Sequence, residues 1–297
     1  MESKSNSTIC KVLVTGANGQ LGSELKELAE FYSNLNFVFT DIDSLDITNS
    51  GALKSFFRTF KPDYVINCAA YTAVDRAEED KENAALLNAK APMLLALAAE
   101  EHNFKLIQIS TDYVFNGRTW EPYNEEHPTS PNSIYGSTKL EGEKAVLKSK
   151  NAMVIRTSWL YSSHGNNFVK TIAKKGRSAS ELRVVYDQVG SPTWANDLAR
   201  AILDIISKGK SSFIPEVFHY SNEGVCSWYD FAKEIVSFFD LSCKIIPILS
   251  FEYPMAASRP PYSVLNKSKI KEQYKLQIPH WKDSMINCLK LIKLENL

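Results

Sequence analysis

Tyr135 and Lys139 stand four residues apart in Ser133-Ile134-Tyr135-Gly136-Ser137-Thr138-Lys139. On a helix, that spacing places a phenol and an ammonium on one face. A phenol ordinarily titrates near ~10 and a fixed cation beside it favours the phenolate, so the spacing predicts a pair that passes a proton near neutral pH. Upstream, Ser110-Thr111-Asp112 offers a hydroxyl, at Thr111, that can donate to a carbonyl oxygen; taken alone, such a tripeptide more often makes a turn or a helix cap. Near the N-terminus, Gly16-Ala17-Asn18-Gly19-Gln20-Leu21-Gly22 has the spacing G-x-x-G-x-x-G. Between a strand and a helix, Gly16, Gly19 and Gly22 allow a tight turn and close approach of backbone to a pyrophosphate, which the helix N-terminus attracts. Asp41 follows roughly twenty residues on, where a carboxylate can accept both hydroxyls of an adenosine ribose, or simply close a strand-end turn. No Lys or Arg lies between Thr40 and Asn49. The local chemistry therefore leans to NADH, with NADPH also a candidate.

These groups need a sheet whose strands end at one edge. Lys11–Thr15 is a short β-branched run ending in glycine, and 20–31 follows with Leu21, Leu25 and Leu28 on one helical face. The same reading predicts strands at 36–41, 64–68, 105–110 and 153–157 and helices at 49–60, 83–102 and 133–148. Strands alternating with helices imply an α/β fold, a Rossmann-type doubly wound parallel sheet. Residues 111–131 contain Gly117, Pro122, Pro128 and Pro131 and lack periodicity, which predicts a functional loop over the sheet's carboxyl edge. Beyond Gly165 the pattern becomes less regular, with helices at 167–175, 195–207, 228–239 and 280–292 and a strand at 182–186. The expected organisation is a dinucleotide-binding region over 10–160, continuing in part through 161–215, and a smaller α/β substrate lobe over about 185–297.

Composition narrows the partners. The 34 basic and 34 acidic residues balance, leaving no electrostatic footprint for nucleic acid or an anionic membrane. Five cysteines without a C-x-x-C spacing argue against a disulfide framework and for a reducing compartment. With no signal-like stretch in 1–8 and no run of ~18 apolar residues, the expected location is the cytoplasm.

The glycine loop, Asn67-Cys68-Ala69-Ala70, Thr111 and Tyr135-x-x-x-Lys139 together resemble the extended short-chain dehydrogenase/reductase superfamily. Within it, four segments resemble the dTDP-4-dehydrorhamnose reductase family: Ala70 to Asp75, Ser110 to Phe115, Arg156 to Tyr161, and Asp187 to Thr193. Ala257-Ser258-Arg259-Pro260 is similar to that family's C-terminal substrate lobe, and the likeness runs from about Val12 to Asn266. The resemblance implies NADH or NADPH over the sheet and a small-molecule sugar nucleotide whose 4-keto group faces the hydride. It places Gly19, Gln20 and Leu21 on the pyrophosphate, Asp41 on the ribose, Asp46 and Ile47 on the adenine, and Ala70, Tyr71 and Thr72 on the cofactor's inner half. It places Thr111, Asp112 and Trp159 on the sugar nucleotide; Lys139 is expected to hold the nicotinamide ribose and depress the Tyr135 pKa. Two alternatives share these residues: a nucleotide-sugar epimerase or dehydratase that recycles its cofactor, and a silent regulatory subunit like the β subunit of methionine adenosyltransferase.

Other features invite plainer readings. Glu78, Glu79, Asp80 and Glu82 predict a solvated helix entrance, and the run Lys267, Lys269, Lys271, Lys275 an exposed helical face. The five histidines lack paired ligand spacing. No metal is assigned; Glu24 is a candidate contributor to Mg2+ at a subunit contact, as in some relatives, and a homodimer is the candidate assembly. Trp159 could equally be a core aromatic, and Arg259 could bind the diphosphate or pair with an acid.

Overall fold

Cys10–Thr15 (β1) runs straight into the glycine turn and then Gln20–Leu28 (α1), the first repeat of an alternating chain. Leu35–Thr40 (β2), Ser50–Thr59 (α2), Tyr64–Asn67 (β3), Val74–Ala77 (α3), Lys81–Ala85 (α4), Ala91–His102 (α5), Lys105–Thr111 (β4), Ile134–Val146 (α6) and Ala152–Thr157 (β5) continue it. Leu160–Tyr161 (β6), Phe168–Gly176 (α7), Glu181–Val185 (β7), Val189–Gly190 (β8), Thr193–Trp194 (β9), Ala195–Ser207 (α8), Glu216–His219 (β10), Cys226–Ser227 (β11), Trp228–Phe238 (α9), Lys244–Ile248 (β12), Ser268–Tyr274 (α10) and Trp281–Leu294 (α11) complete it. This computed structural model describes residues 9–208 and 215–294.

Six strands form one parallel sheet in the order β10-β5-β4-β3-β1-β2, with Val14 of β1 beside Phe39 and Ile66. Its central strands are buried on both faces, which is why they read as unbroken apolar runs. Val12 and Val14 pack under α1 and α8 with Leu21, Leu25 and Ile202, whereas Leu13 points to the opposite face with Phe57 of α2 and Leu95 of α5. Each such fully buried side chain contributes about 1.5–3 kcal/mol. A second core gathers Ile172, Val184, Phe231, Ile235, Trp281 and Met285 from α7, β7, α9 and α11, with β7 paired to β12 in parallel. Among the described residues no helix is long and apolar enough to cross a membrane.

Two local differences from the sequence pattern bear on the site. The helix expected over 83–102 is broken by a π turn at Leu86–Lys90, and Pro92, without an N–H, stands just beyond it. That turn presents Asn88, whose side chain accepts from Tyr71 N at 2.9 Å and donates to the Tyr71 carbonyl and to Thr138 Oγ1 on α6. The acidic cluster is also not simply solvated. Glu78 accepts from Ile134 N at 2.9 Å, joining Ser133, which accepts from Gly136 N, in capping α6.

Candidate active site

In the sheet order, β1 lies between β2 and β3, so the chain's winding reverses there and a crevice opens beyond the strands' carboxyl ends. Gly16 turns out of β1 at φ +67°, and a Cβ there would lie 2.7 Å from Ala69 Cα at the end of β3. Gly19 caps α1 without a side-chain acceptor, leaving the first-turn amides facing the crevice for an anion. The crevice is a cavity of about 830 Å³, lined at this end by Gly16, Gly19, Gln20, Leu21 and Gly22. Gln20 Oε1 accepts from Asn167 Nδ2 at 2.9 Å, which ties the turn to the start of α7.

Asp41, Asp46, Ile47, Ala70 and Thr72 line the same cavity. The Asp41 carboxylate accepts from Asn18 N at 2.9 Å and Ile42 N at 2.8 Å, which fixes its oxygens at the rim. Tyr71 does not join them: its hydroxyl donates to Asp80 Oδ2 at 3.0 Å, away from the cavity lining.

Tyr135, Lys139, Thr111 and Asp112 meet at the other end, under the loop that follows β4. Lys139 Nζ donates to the Ile109 carbonyl at 2.7 Å, and burial holds its pKa down to about 8 against the pull of Glu143. Burial pushes Tyr135 up to about 12, opposed only by its hydrogen bond with the Thr111 hydroxyl. The expected depression of the phenol by Lys139 is therefore not what the geometry gives. Desolvation, reinforced by the nearby Asp112 carboxylate, holds the phenol in its protonated form at neutral pH.

Asp112, 2% exposed, accepts from Thr111 Oγ1 at 3.0 Å. Burial raises its carboxyl from 3.8 to about 6, opposed by hydrogen bonds from Ser263 and Thr111. A raised carboxyl pKa means the folded protein binds the proton more tightly, so stability falls as pH rises from about 4 to about 6. Asp112→Asn is thus expected to stabilise the ligand-free protein by roughly 2–3 kcal/mol at pH 7 and by little at pH 4, read from urea melts at both. Equal effects at the two pH values would refute the assignment.

Trp159 also lines the cavity and has φ +49°, a conformation that costs a non-glycine residue about 1–2 kcal/mol. It stacks on Trp228 at 3.6 Å and 6°, and its Nε1 donates to Ser263 at 3.1 Å. Trp228 and Phe168 line the cavity as well, although in the sequence both only begin amphipathic helices and carry no spacing signal. They separate the main cavity from a second one of about 280 Å³ that includes Lys175, Arg183, Gln188, Tyr253 and Arg259. Arg259 is absent from the main cavity and forms a bidentate pair with Asp75, at 3.1 and 2.6 Å. Of its two expected roles, the structure shows the ion pair.

The exposed-face reading of the basic run fails at Lys267, which is 8% exposed and pairs with Glu223 at 3.3 Å. Glu24 is fully buried and accepts from Ser162 Oγ at 2.5 Å and Asn196 Nδ2 at 2.8 Å. Ligand-type atoms of Glu24, Glu27 and His164 lie within 4.8 Å of one another. With both Glu24 oxygens engaged and an imidazole as the third group, this trio does not fit Mg2+, which favours a near-octahedral shell of oxygens.

A nicotinamide dinucleotide does fit the residues present. The uncapped helix start and close-packed glycine turn suit its pyrophosphate, and the buried hydroxyls of Ser110 and Thr157 line the cavity without a protein partner. Fold and cavity together suit a nicotinamide-dependent oxidoreductase, the class to which the relatives below assign it. Residues 10–294 match the family model for the RmlD substrate binding domain, and the chain belongs to that family. A dTDP-4-dehydrorhamnose reductase of known structure from Clostridium acetobutylicum is 44% identical, with a TM-score of 0.90 over 95% of this chain and 99% of that one. The dTDP-4-dehydrorhamnose reductase of Bacillus anthracis, solved in complex with NADP, is 37% identical, with a TM-score of 0.88 over 94% and 98% of the two chains. A Streptomyces antibioticus protein named as a probable dTDP-4,6-dihydroxy-2-methyloxan-3-one 4-ketoreductase is 40% identical over 277 residues, 92% of each chain.

Proposed function

We propose that this chain reduces the 4-keto group of dTDP-4-dehydro-L-rhamnose to give dTDP-L-rhamnose, a precursor of cell-surface polysaccharide. The single observation that carries the reading is the meeting of Tyr135, Lys139 and Thr111 in the cavity whose far end is the glycine turn. The bound reduced nicotinamide supplies the hydride. As negative charge grows on the sugar's C4 oxygen, the Tyr135 phenol transfers its proton there. A phenol held near 12 suits that step, because it stays protonated until an alkoxide appears beside it. Thr111 Oγ1 supports the same oxygen, and Lys139 faces the nicotinamide ribose and the phenolate left on Tyr135.

Asp41 and the absence of any cation other than Lys139 from the described cavity lining favour NADH, since a ribose 2′-phosphate would meet a carboxylate with no Arg or Lys beside it. The sugar nucleotide enters on the Trp159 and Trp228 side, with Asp112 contacting the sugar. Its diphosphate and base lie toward the second cavity, where Lys175 supplies positive charge and where Arg183 and Arg259, paired with Glu252 and Asp75, also line the wall.

The test is an assay of purified protein with dTDP-4-dehydro-L-rhamnose and each reduced cofactor in turn, with the product identified by NMR. Stoichiometric cofactor oxidation, faster with NADH, with dTDP-L-rhamnose as product, is the expected result. Sugar conversion without net oxidation would instead mark an epimerase or dehydratase, and no turnover with either cofactor would favour the regulatory alternative.

A further inference from the structure

Tyr135, Lys139 and Glu143 follow one another at i, i+4 and i+8 along α6, so all three share one face. Glu143 is 1% exposed, and its carboxylate is gripped by Arg156 of β5, itself 4% exposed. Arg156 Nε lies 3.0 Å from Oε1 and Nη2 2.7 Å from Oε2. His219 of β10 closes the other flank of the guanidinium, with Nε2 at 3.4 Å from Nη1, and the Phe115 ring lies 5.1 Å away. His219 Nδ1 lies 3.0 Å from the Tyr123 carbonyl and so carries the ring proton, leaving Nε2 to accept from Arg156. Burial and the adjacent Arg156 push the ring down to about 3, which keeps it neutral.

A buried ion pair is a poor source of net stability, because desolvating two charges offsets most of their attraction. Its placement here has another effect. The groups that face Lys139 can be named element by element. Its own helix contributes Tyr135 and Glu143; the end of β3 contributes Cys68, a thiol pushed up to about 12 by burial and so uncharged; β4 contributes the Ile109 carbonyl. Asp112 beyond β4 acts on Tyr135. Glu143 is the largest influence favouring the ammonium against its burial.

We propose that Glu143 is a positioning residue for the reaction: clamped by Arg156, it sets a fixed negative charge one turn beyond Lys139 and so maintains the cation that faces the cofactor. The proposal rests on the reading of Lys139 as that cation, but its test needs no sugar nucleotide.

Binding of NADH and of NADPH is titrated from pH 6 to 10 by nicotinamide fluorescence, in the wild type and in Glu143→Asp, Glu143→Gln and the double variant Glu143→Gln with Arg156→Gln. The wild type is expected to lose affinity as Lys139 deprotonates. In Glu143→Gln that limb moves to lower pH by about one unit or more, because a stabilising charge is gone. Glu143→Asp, which keeps the charge, restores it. The double variant leaves no orphaned buried charge and decides the matter if the single variant does not fold. A role confined to holding the helix predicts the wild-type limb in the double variant, and that outcome overturns the proposal; a limb still shifted down supports it. Failure of the 4-keto reduction alongside a shifted limb would reject the proposed substrate and leave this inference standing.

Discussion

Tyr135→Phe is expected to cut kcat by about 10²- to 10⁴-fold, the usual contribution of a positioned general acid, while cofactor affinity changes by no more than about 2-fold. The substitution removes one oxygen and little else. The ring is 9% exposed and packs edge-on against Tyr113 at 5.4 Å, contacts that phenylalanine retains. Lys139 is anchored by the Ile109 carbonyl rather than by the phenol, so the cofactor end stays formed. Steady-state kinetics with a fluorescence titration of reduced cofactor separate the two quantities. Near-normal turnover would mean the alkoxide takes its proton from elsewhere. With burial raising the phenol to about 12 and lowering Lys139 to about 8, the alkaline limb of the wild type is expected to follow Lys139 and to persist in the residual activity of this variant.

Gly22→Ala acts at the opposite end and should spare the proton donor. A Cβ on Gly22 would collide with the Gly16 carbonyl oxygen and lie 2.6 Å from Ala17 Cα, both backbone atoms that move only if the turn opens. Overpacking of this kind costs about 1–3 kcal/mol, and the same displacement tilts α1 away from the anion it is meant to face. Cofactor affinity is therefore expected to fall by roughly 10- to 100-fold, on the scale of 1.4 kcal/mol per tenfold. A calorimetric titration checks it, with circular dichroism confirming the fold. An unchanged dissociation constant in a folded variant would remove the glycine turn from the cofactor site.

Legibility in the sequence followed the range over which each signal acts. β3 and β5 were readable because strands buried on both faces must be apolar throughout, and the turn after β1 because its chemistry is local. The strand β10, Glu-Val-Phe-His, has only two apolar residues between polar ends and is only half-buried at its start, so it does not stand out, and the π turn that presents Asn88 lies inside an otherwise continuous helical stretch. Tyr135 and Lys139 were found from spacing, but the direction of the phenol's titration was not, because it depends on burial by residues distant in the chain. The same distance hides the pairing of Arg259 with Asp75, 184 positions apart, and the stacking of Trp228 on Trp159. Lys267 looked like one of several surface lysines until Glu223 was brought beside it.

The path of the chain has a practical consequence for anyone wishing to graft specificity between relatives. β7 at 181–185 pairs with β12 at 244–248, yet β10 at 216–219 returns in between to complete the large sheet beside β5. A chimera made by one cut and splice would therefore orphan an edge strand or divide a strand pair. Transplanting the β7–β12 side intact calls for two separate inserts flanking 216–219, with the recipient's own β10 kept in place.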